Sequence, residues 1–95
     1  MIRHVVLIRL KPGVQPAQVD AAKVALSALR GPGMRGYSVG PDLGLRDGNM
    51  DVAIVADFDD EEAYAGYDAD AEHGRIRRDL IAPIAERIER CQFTI

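Results

Sequence analysis

The sequence predicts an α+β fold: a ferredoxin-like βαββαβ protomer, with an antiparallel sheet carrying its helices on one face. Three observations predict it. Apolar, β-branched runs at Ile2–Leu10 and residues 51–58 are each followed by a segment with helical spacing or a helix-start signature. Lys11-Pro12-Gly13 and Gly31-Pro32-Gly33 punctuate the chain between them. A turn-rich segment over residues 41–50 joins two strand candidates in the manner of a hairpin.

The first strand, IRHVVLIRL, has two faces, Ile2/His4/Val6/Ile8/Leu10 and Arg3/Val5/Leu7/Arg9. Both are partly apolar, so one face is expected to meet helices and the other a ligand or a second subunit. Pro16 suits the first position of a helix, where its missing N–H costs nothing. Val19, Ala22, Leu26 and Leu29 recur at helical spacing, which predicts a helix over residues 16–30 stopped by Gly31-Pro32-Gly33.

Residues 34–40 are a weaker strand candidate, with Gly36 as its interruption. In the next strand Val52, Ile54, Ala56 and Phe58 share a face. The acidic run Asp59-Asp60-Glu61-Glu62 reads as a helix start, with Asp59 capping and Glu62 completing a capping box, ahead of a helix over residues 60–67. Ile76, Leu80, Ile84 and Ile88 then fall four apart, a helical pattern that Pro83 must kink or restart. Residues 90–95 form a last short strand with Cys91, Phe93 and Ile95 on one face.

At 95 residues the chain is one domain, residues 1–95, and it buries roughly 60–65% of its surface on folding; pairing into a homodimer is the usual way such a domain gains further burial. Hydrophobic residues at 47% and charged ones at 28% are globular usage and exclude disorder. No apolar run approaches the ~18 residues of a membrane span, and Arg3, His4 and Arg9 make the opening run a strand and not a signal peptide. A cytoplasmic protein with no membrane partner is expected. The net charge of −3 has the wrong sign for nucleic acid, and strands one and three offer only Phe58, at a strand end, for stacking. Cys91, the single cysteine, allows neither an internal disulfide nor a thiolate zinc site, and it is expected to be a small buried hydrophobe. No phosphate loop or dinucleotide fingerprint is present, and no metal or other cofactor is expected.

The side chains able to move protons are few: His4 and His73, with Tyr37, Tyr64 and Tyr67. A histidine titrates near neutrality and is the usual general base. A tyrosine hydroxyl can donate to a developing enolate oxygen.

The opening Arg3-His4-Val5-Val6-Leu7-Ile8-Arg9-Leu10-Lys11, the strand ending in Phe58, the acidic helix start and the block from Tyr67 to His73 together resemble the stress-responsive dimeric α/β-barrel family over nearly the whole chain. The resemblance implies ferredoxin-like protomers whose sheets pack face to face, each closing a small barrel around an apolar pocket. It further implies cofactor-independent chemistry of the kind a plant polyketide cyclase of that family performs, an intramolecular aldol condensation. By that likeness His73 is the general base, Tyr67 its partner that steadies the enolate oxygen, and His4 a group that orients substrate or hydrogen-bonds His73. Leu26, Ile54 and Ile76 are candidate apolar walls for a small hydrophobic, carbonyl-bearing ligand. The chain departs from the family pattern at Asp70-Ala71, where His-Pro is frequent, at Val52, where the plant cyclase has a histidine, and around Ala22 and Leu26, where it has large aromatics. A non-catalytic dimeric binding or stress-related accessory protein is the alternative reading.

One geometric condition attaches to the site. Six residues on an unbroken helix turn through about 240°, so Tyr67 and His73 share a face only if the helix breaks between them. Asp68, Asp70 and the flanking Gly66 and Gly74 predict such a break.

Overall fold

The computed structural model describes residues 1–95. Alternation of side chains along β1 (Ile2–Leu10) organises the whole sheet. Its even residues His4, Val6 and Ile8 are buried, and Ala56, Ile54 and Val52 of β3 (Val52–Phe58) lie opposite them in antiparallel register. The other edge of β1 pairs antiparallel with β4 (Ala85–Thr94), placing Gln92, Arg90 and Ile88 across from the same three residues. β2 (Met34–Pro41) adds to β3, giving one four-stranded antiparallel sheet of order β2-β3-β1-β4. The register slips between Met34 and Gly36, so the interruption expected at Gly36 is a bulge.

Helices cover only the even face. α1 (Pro16–Ser27) lays Ala22 and Leu26 on Val6, Ile8 and Ile54, with Ile76 and Ile81 completing the core. α1 ends three residues short of expectation, because the Arg30 guanidinium folds back onto the carbonyls of Ser27 and Leu29 at 2.9 and 2.7 Å and satisfies the open end.

The second helical region breaks where expected and differs from expectation in its cap, in the capping box and in the turn that follows it. Its cap is Asp60, whose carboxylate accepts from Ala63 N at 2.9 Å ahead of α2 (Glu61–Ala69). Asp59 cannot serve, since both its oxygens take the fork of Arg35 at 2.7 Å, and Glu62 is then out of register for a capping box. The chain breaks at Asp70 and resumes as α3 (Ala71–Ile76), followed by a π-helical turn over Arg77–Ile81.

The four-residue spacing past Ile76 does not continue a helix. Pro83 has no N–H for the ladder, and the chain turns over residues 82–84. Ile88 belongs to a strand that starts at Ala85, five residues earlier than expected. Cys91 is exposed and not buried: it pairs with Val5, on the sheet face that carries no helix. That face also presents Arg3, Leu7 and Phe93, with a bidentate Arg3–Asp57 pair at 2.8 and 2.9 Å across β1 and β3. No helix is long and apolar enough to cross a membrane.

The loop into β2 meets α2 closely at Gly33. Its φ is +75°, and a Cβ there would lie 2.6 Å from Ala63 Cβ. Gly13 has a similar φ of +84° with open space around it. Gly13→Ala should therefore cost only the left-handed strain, about 1–2 kcal/mol. Gly33→Ala should cost that plus about 1–3 kcal/mol of overpacking. Urea unfolding of the two variants measures the difference, and equal losses would show that the loop does not lean on α2.

Candidate functional site

The break at Asp70 is built by one carboxylate and one backbone turn. Asp70 ends α2, with its N–H donating to Tyr67 O, and its side chain accepts from His73 N at 2.9 Å to start α3. The rotation that an unbroken helix would impose is thereby cancelled. The rings of Tyr67 and His73 stack with centroids 4.0 Å apart and an interplanar angle of 27°.

This geometry also decides where the proton of His73 sits. Nδ1 lies 3.0 Å from the Tyr67 carbonyl oxygen, which can only accept, so Nδ1–H donates. Burial pushes the imidazole below its usual 6.5, and Arg77 adds to the depression against the weaker opposing pull of the Tyr67 carbonyl, Asp68 and Asp70. The ring is neutral at pH 7, and Nε2 is left as a proton acceptor.

His4 has the opposite arrangement. Its Nδ1 faces the Gln92 Nε2 amide at 3.0 Å, which can only donate, so the His4 proton resides on Nε2. Burial lowers its pKa as well, followed by the charge of Arg90. The two imidazoles make no hydrogen bond to each other; one presents an acceptor nitrogen and the other a donor.

Tyr67 is tied to β2. Its hydroxyl lies 2.8 Å from that of Tyr37. Burial raises both phenols above their usual 10, so Tyr67 remains a hydroxyl and does not act as a base.

These groups meet at a cavity of about 210 Å³ between the helical layer and the sheet. Four of the side chains singled out above as site residues and walls besides His73 line it with that residue: His4, Tyr67, Leu26 and Ile54. Ile76 does not; it is fully buried in the core beneath α3. Val6, Ile8, Ile81, Ala82 and Ile88 complete the apolar wall, and Tyr64, Asp68, Arg77 and Arg90 complete the polar one. The cavity lies on the helix-covered face, between the sheet and its own helices, and is not a chamber between two sheets.

Two larger hollows are less suited to chemistry. A groove of about 580 Å³ between residues 30–34 and α2 is edged by acids, of which Asp59, Asp60 and Asp70 already serve as ion-pair or capping groups. A groove of about 380 Å³ lies under the β2–β3 loop and holds no histidine or tyrosine. No three His, Cys, Asp or Glu side chains are grouped to hold a metal ion.

Sequence reasoning missed Gln92 and Arg90 because it looked to the Cys91/Phe93/Ile95 face of the last strand and not to the opposite one, and it missed Ile88 by reading it as helical. Their i, i+2 spacing was the available signal. It named Tyr37 but gave it no role, since its contact with Tyr67 spans 30 residues.

The family profile described as the stress responsive A/B barrel domain matches residues 2–94. A dimeric ferredoxin-like protein of unknown function from Thermobifida fusca is 37% identical, covering 99% of this chain and 90% of its own, with a TM-score of 0.89. A ferredoxin-like member of the same family from Mesorhizobium loti is 23% identical, with coverages of 99% and 95% and a TM-score of 0.78. The hydroxynitrile lyase of Passiflora edulis is 21% identical, with coverages of 99% and 92% and a TM-score of 0.83. These last two show likeness of fold. None of the curated proteins matches the chain.

The two buried, neutral histidines make stability depend on pH. Their native pKa values lie below the unfolded value near 6.5, so the unfolded chain binds more protons as pH falls. The stability they contribute is complete above about pH 6.5 and is lost as pH drops through the depressed native values. Thermal melts between roughly pH 5 and 7.5 should show Tm rising with pH, and the slope should flatten in a His4→Gln/His73→Gln double variant. An unchanged slope would mean that neither imidazole is buried neutral.

Proposed function

Because the chain belongs to the stress-responsive A/B barrel family, we propose that it is a cofactor-independent lyase or cyclase acting on a small hydrophobic carbonyl compound, polyketide-like in chemistry, with His73 as general base. The observation that carries this reading is the Nδ1 hydrogen bond of His73 to the Tyr67 carbonyl. It holds a neutral imidazole in the tautomer whose Nε2 takes a proton, at the wall of an apolar cavity. At about 210 Å³ the cavity is smaller than the ~300–1,000 Å³ typical of drug-sized ligands, which suits a compact substrate.

In the first step Nε2 of His73 removes a proton next to the substrate carbonyl, and the electron pair moves onto the carbonyl oxygen. Tyr67 lines the cavity and Tyr37 does not. Either hydroxyl of the Tyr37–Tyr67 pair can donate; when Tyr37 does, the Tyr67 proton is left to point at the enolate oxygen. The Nε2–H of His4 is a second donor that orients the carbonyl. The enolate then attacks a second carbonyl or expels a leaving group, and His73 returns its proton. The likeness in fold to a hydroxynitrile lyase supports lyase-type chemistry on small molecules.

The assembly follows from the bare sheet face. Val5, Leu7, Val55 and Phe93 are presented there, and Leu43 and Leu45 on the β2–β3 loop are 82% and 84% exposed. The relative from Thermobifida fusca is described as dimeric. A homodimer through this face covers these side chains and Cys91, and leaves each cavity within its own protomer. Leu7→Glu should give a monomer by light scattering with the fold retained by circular dichroism; an unchanged mass would place the interface elsewhere.

The base is tested without knowing the substrate. In D₂O the protein should speed exchange of the α-protons of 1-phenylbutan-2-one and 2-heptanone, followed by proton NMR. His73→Ala should lower that rate by about 10²–10⁴. Tyr67→Phe should lower it by about 10². Full exchange activity in His73→Ala would rule out the mechanism. Saturable ketone binding with no exchange in the wild type would favour a non-catalytic binding module.

A further inference from the structure

Arg90 is conspicuous for what it lacks. The chain has ten arginines, and eight of them bind a carboxylate, a carbonyl or, for Arg9, also the Met50 sulfur. The remaining two are Arg46, in the β2–β3 loop, and Arg90. Arg90 lies between Ile88 and Gln92 on the even face of β4 and lines the cavity, with no ion pair or side-chain hydrogen bond. Its charge lowers the pKa of His4, so it acts on the same space.

The other charges around the cavity cancel. Arg77 reaches Asp68 Oδ1 at 3.3 Å and the Asp68 carbonyl at 3.2 Å, so that carboxylate is already engaged. With both histidines neutral, two guanidiniums and one carboxylate leave one positive charge, at Arg90. Beyond it the wall is apolar, formed by Val6, Ile54 and Ile88 among others.

Resting on the reading of this cavity as the substrate site, we propose that its substrate is an apolar oxo acid, whose carboxylate is gripped by Arg90 while its chain lies along the apolar wall. The planar guanidinium matches a carboxylate with two parallel N–H donors. A phosphate group would want further donors from a glycine-rich loop or an open helix end. The start of α3 is instead closed by the Asp70 carboxylate. Gripping the acid at β4 leaves the oxo group for the histidines and Tyr67, and neutral apolar molecules of the same size bind more weakly because they leave Arg90 unpaired.

The test is equilibrium binding, read by NMR titration of the full chain with hexanoate and with hexanamide, its neutral counterpart. Hexanoate should bind about tenfold or more tightly than hexanamide, the worth of a charge-assisted hydrogen bond. Arg90→Gln should abolish that preference by weakening hexanoate alone, and Arg90→Lys should restore part of it. The variants should melt with the wild type, since Arg90 is exposed on an edge strand. Equal affinity for the two ligands, no saturable hexanoate binding, or an undiminished preference in Arg90→Gln would each overturn the proposal. No turnover is involved, so failure of the base assay leaves this preference standing. Failure here leaves exchange on neutral ketones standing.

Discussion

The site depends on one hydrogen bond, from the His73 ring to the carbonyl of Tyr67, and on the interruption of the helix that permits it. A continuous helix would spend that carbonyl on an amide four residues on and would turn His73 away from Tyr67. Asp70 prevents both. Its backbone closes one helix and its carboxylate opens the next, so the terminal groups at the break are satisfied locally. The Tyr67 carbonyl, which accepts from Asp70 N–H, accepts from His73 as well and so fixes a tautomer, and the same turn brings two rings within 4.0 Å. A short capping residue thus does at this position what a longer loop would do less rigidly.

The sheet serves two purposes through its alternation. Even residues of β1 build the core and carry His4, while odd residues form a face with no covering layer. Because the cavity lies on the even side, pairing through the odd side leaves it intact. Cys91 and Phe93 belong to that odd side, whereas Gln92 and Arg90 turn inward beside His4. A slip of one residue in β4 would exchange these two sets and remove both the partner of His4 and the charge at the cavity.

Much of this was legible in the sequence because the signals were local. The period of β1, the proline opening α1, the face of β3 ending at Phe58 and the break between Tyr67 and His73 each follow from residues within a turn or two of the feature. What was not legible required partners distant along the chain. Asp59 and Asp60 are equivalent as caps until Arg35, 24 residues away, claims the first. Ile84 and Ile88 fit a helical repeat as well as a strand until β1 offers an edge to pair with. Cys91 resembles a core residue until its register with Val5 puts it on the uncovered face. The cavity wall was half visible for the same reason: Leu26 and Ile54 sit in well-patterned elements, while Ile76 fits the apolar pattern equally well yet lies beneath α3, out of reach of the cavity.

The opposed tautomers explain how two histidines with similar surroundings can do different work. Both are neutral because burial disfavours their charged forms, and each is oriented by a single neighbour that can only accept or only donate. Neither neighbour is itself charged, so the arrangement does not rely on a carboxylate to raise the basicity of the base. A nearby cation acts instead on each ring, Arg77 on His73 and Arg90 on His4. A neutral base beside fixed positive charge is a poor acceptor from a neutral molecule, because the imidazolium it becomes is repelled. At His73 that penalty is offset in part, because Asp68 pairs with Arg77 and pulls the ring's pKa upward together with Asp70. The uncompensated charge lies instead at Arg90, on the side of the donor histidine, so the base stands beside the paired cation and His4 beside the unpaired one.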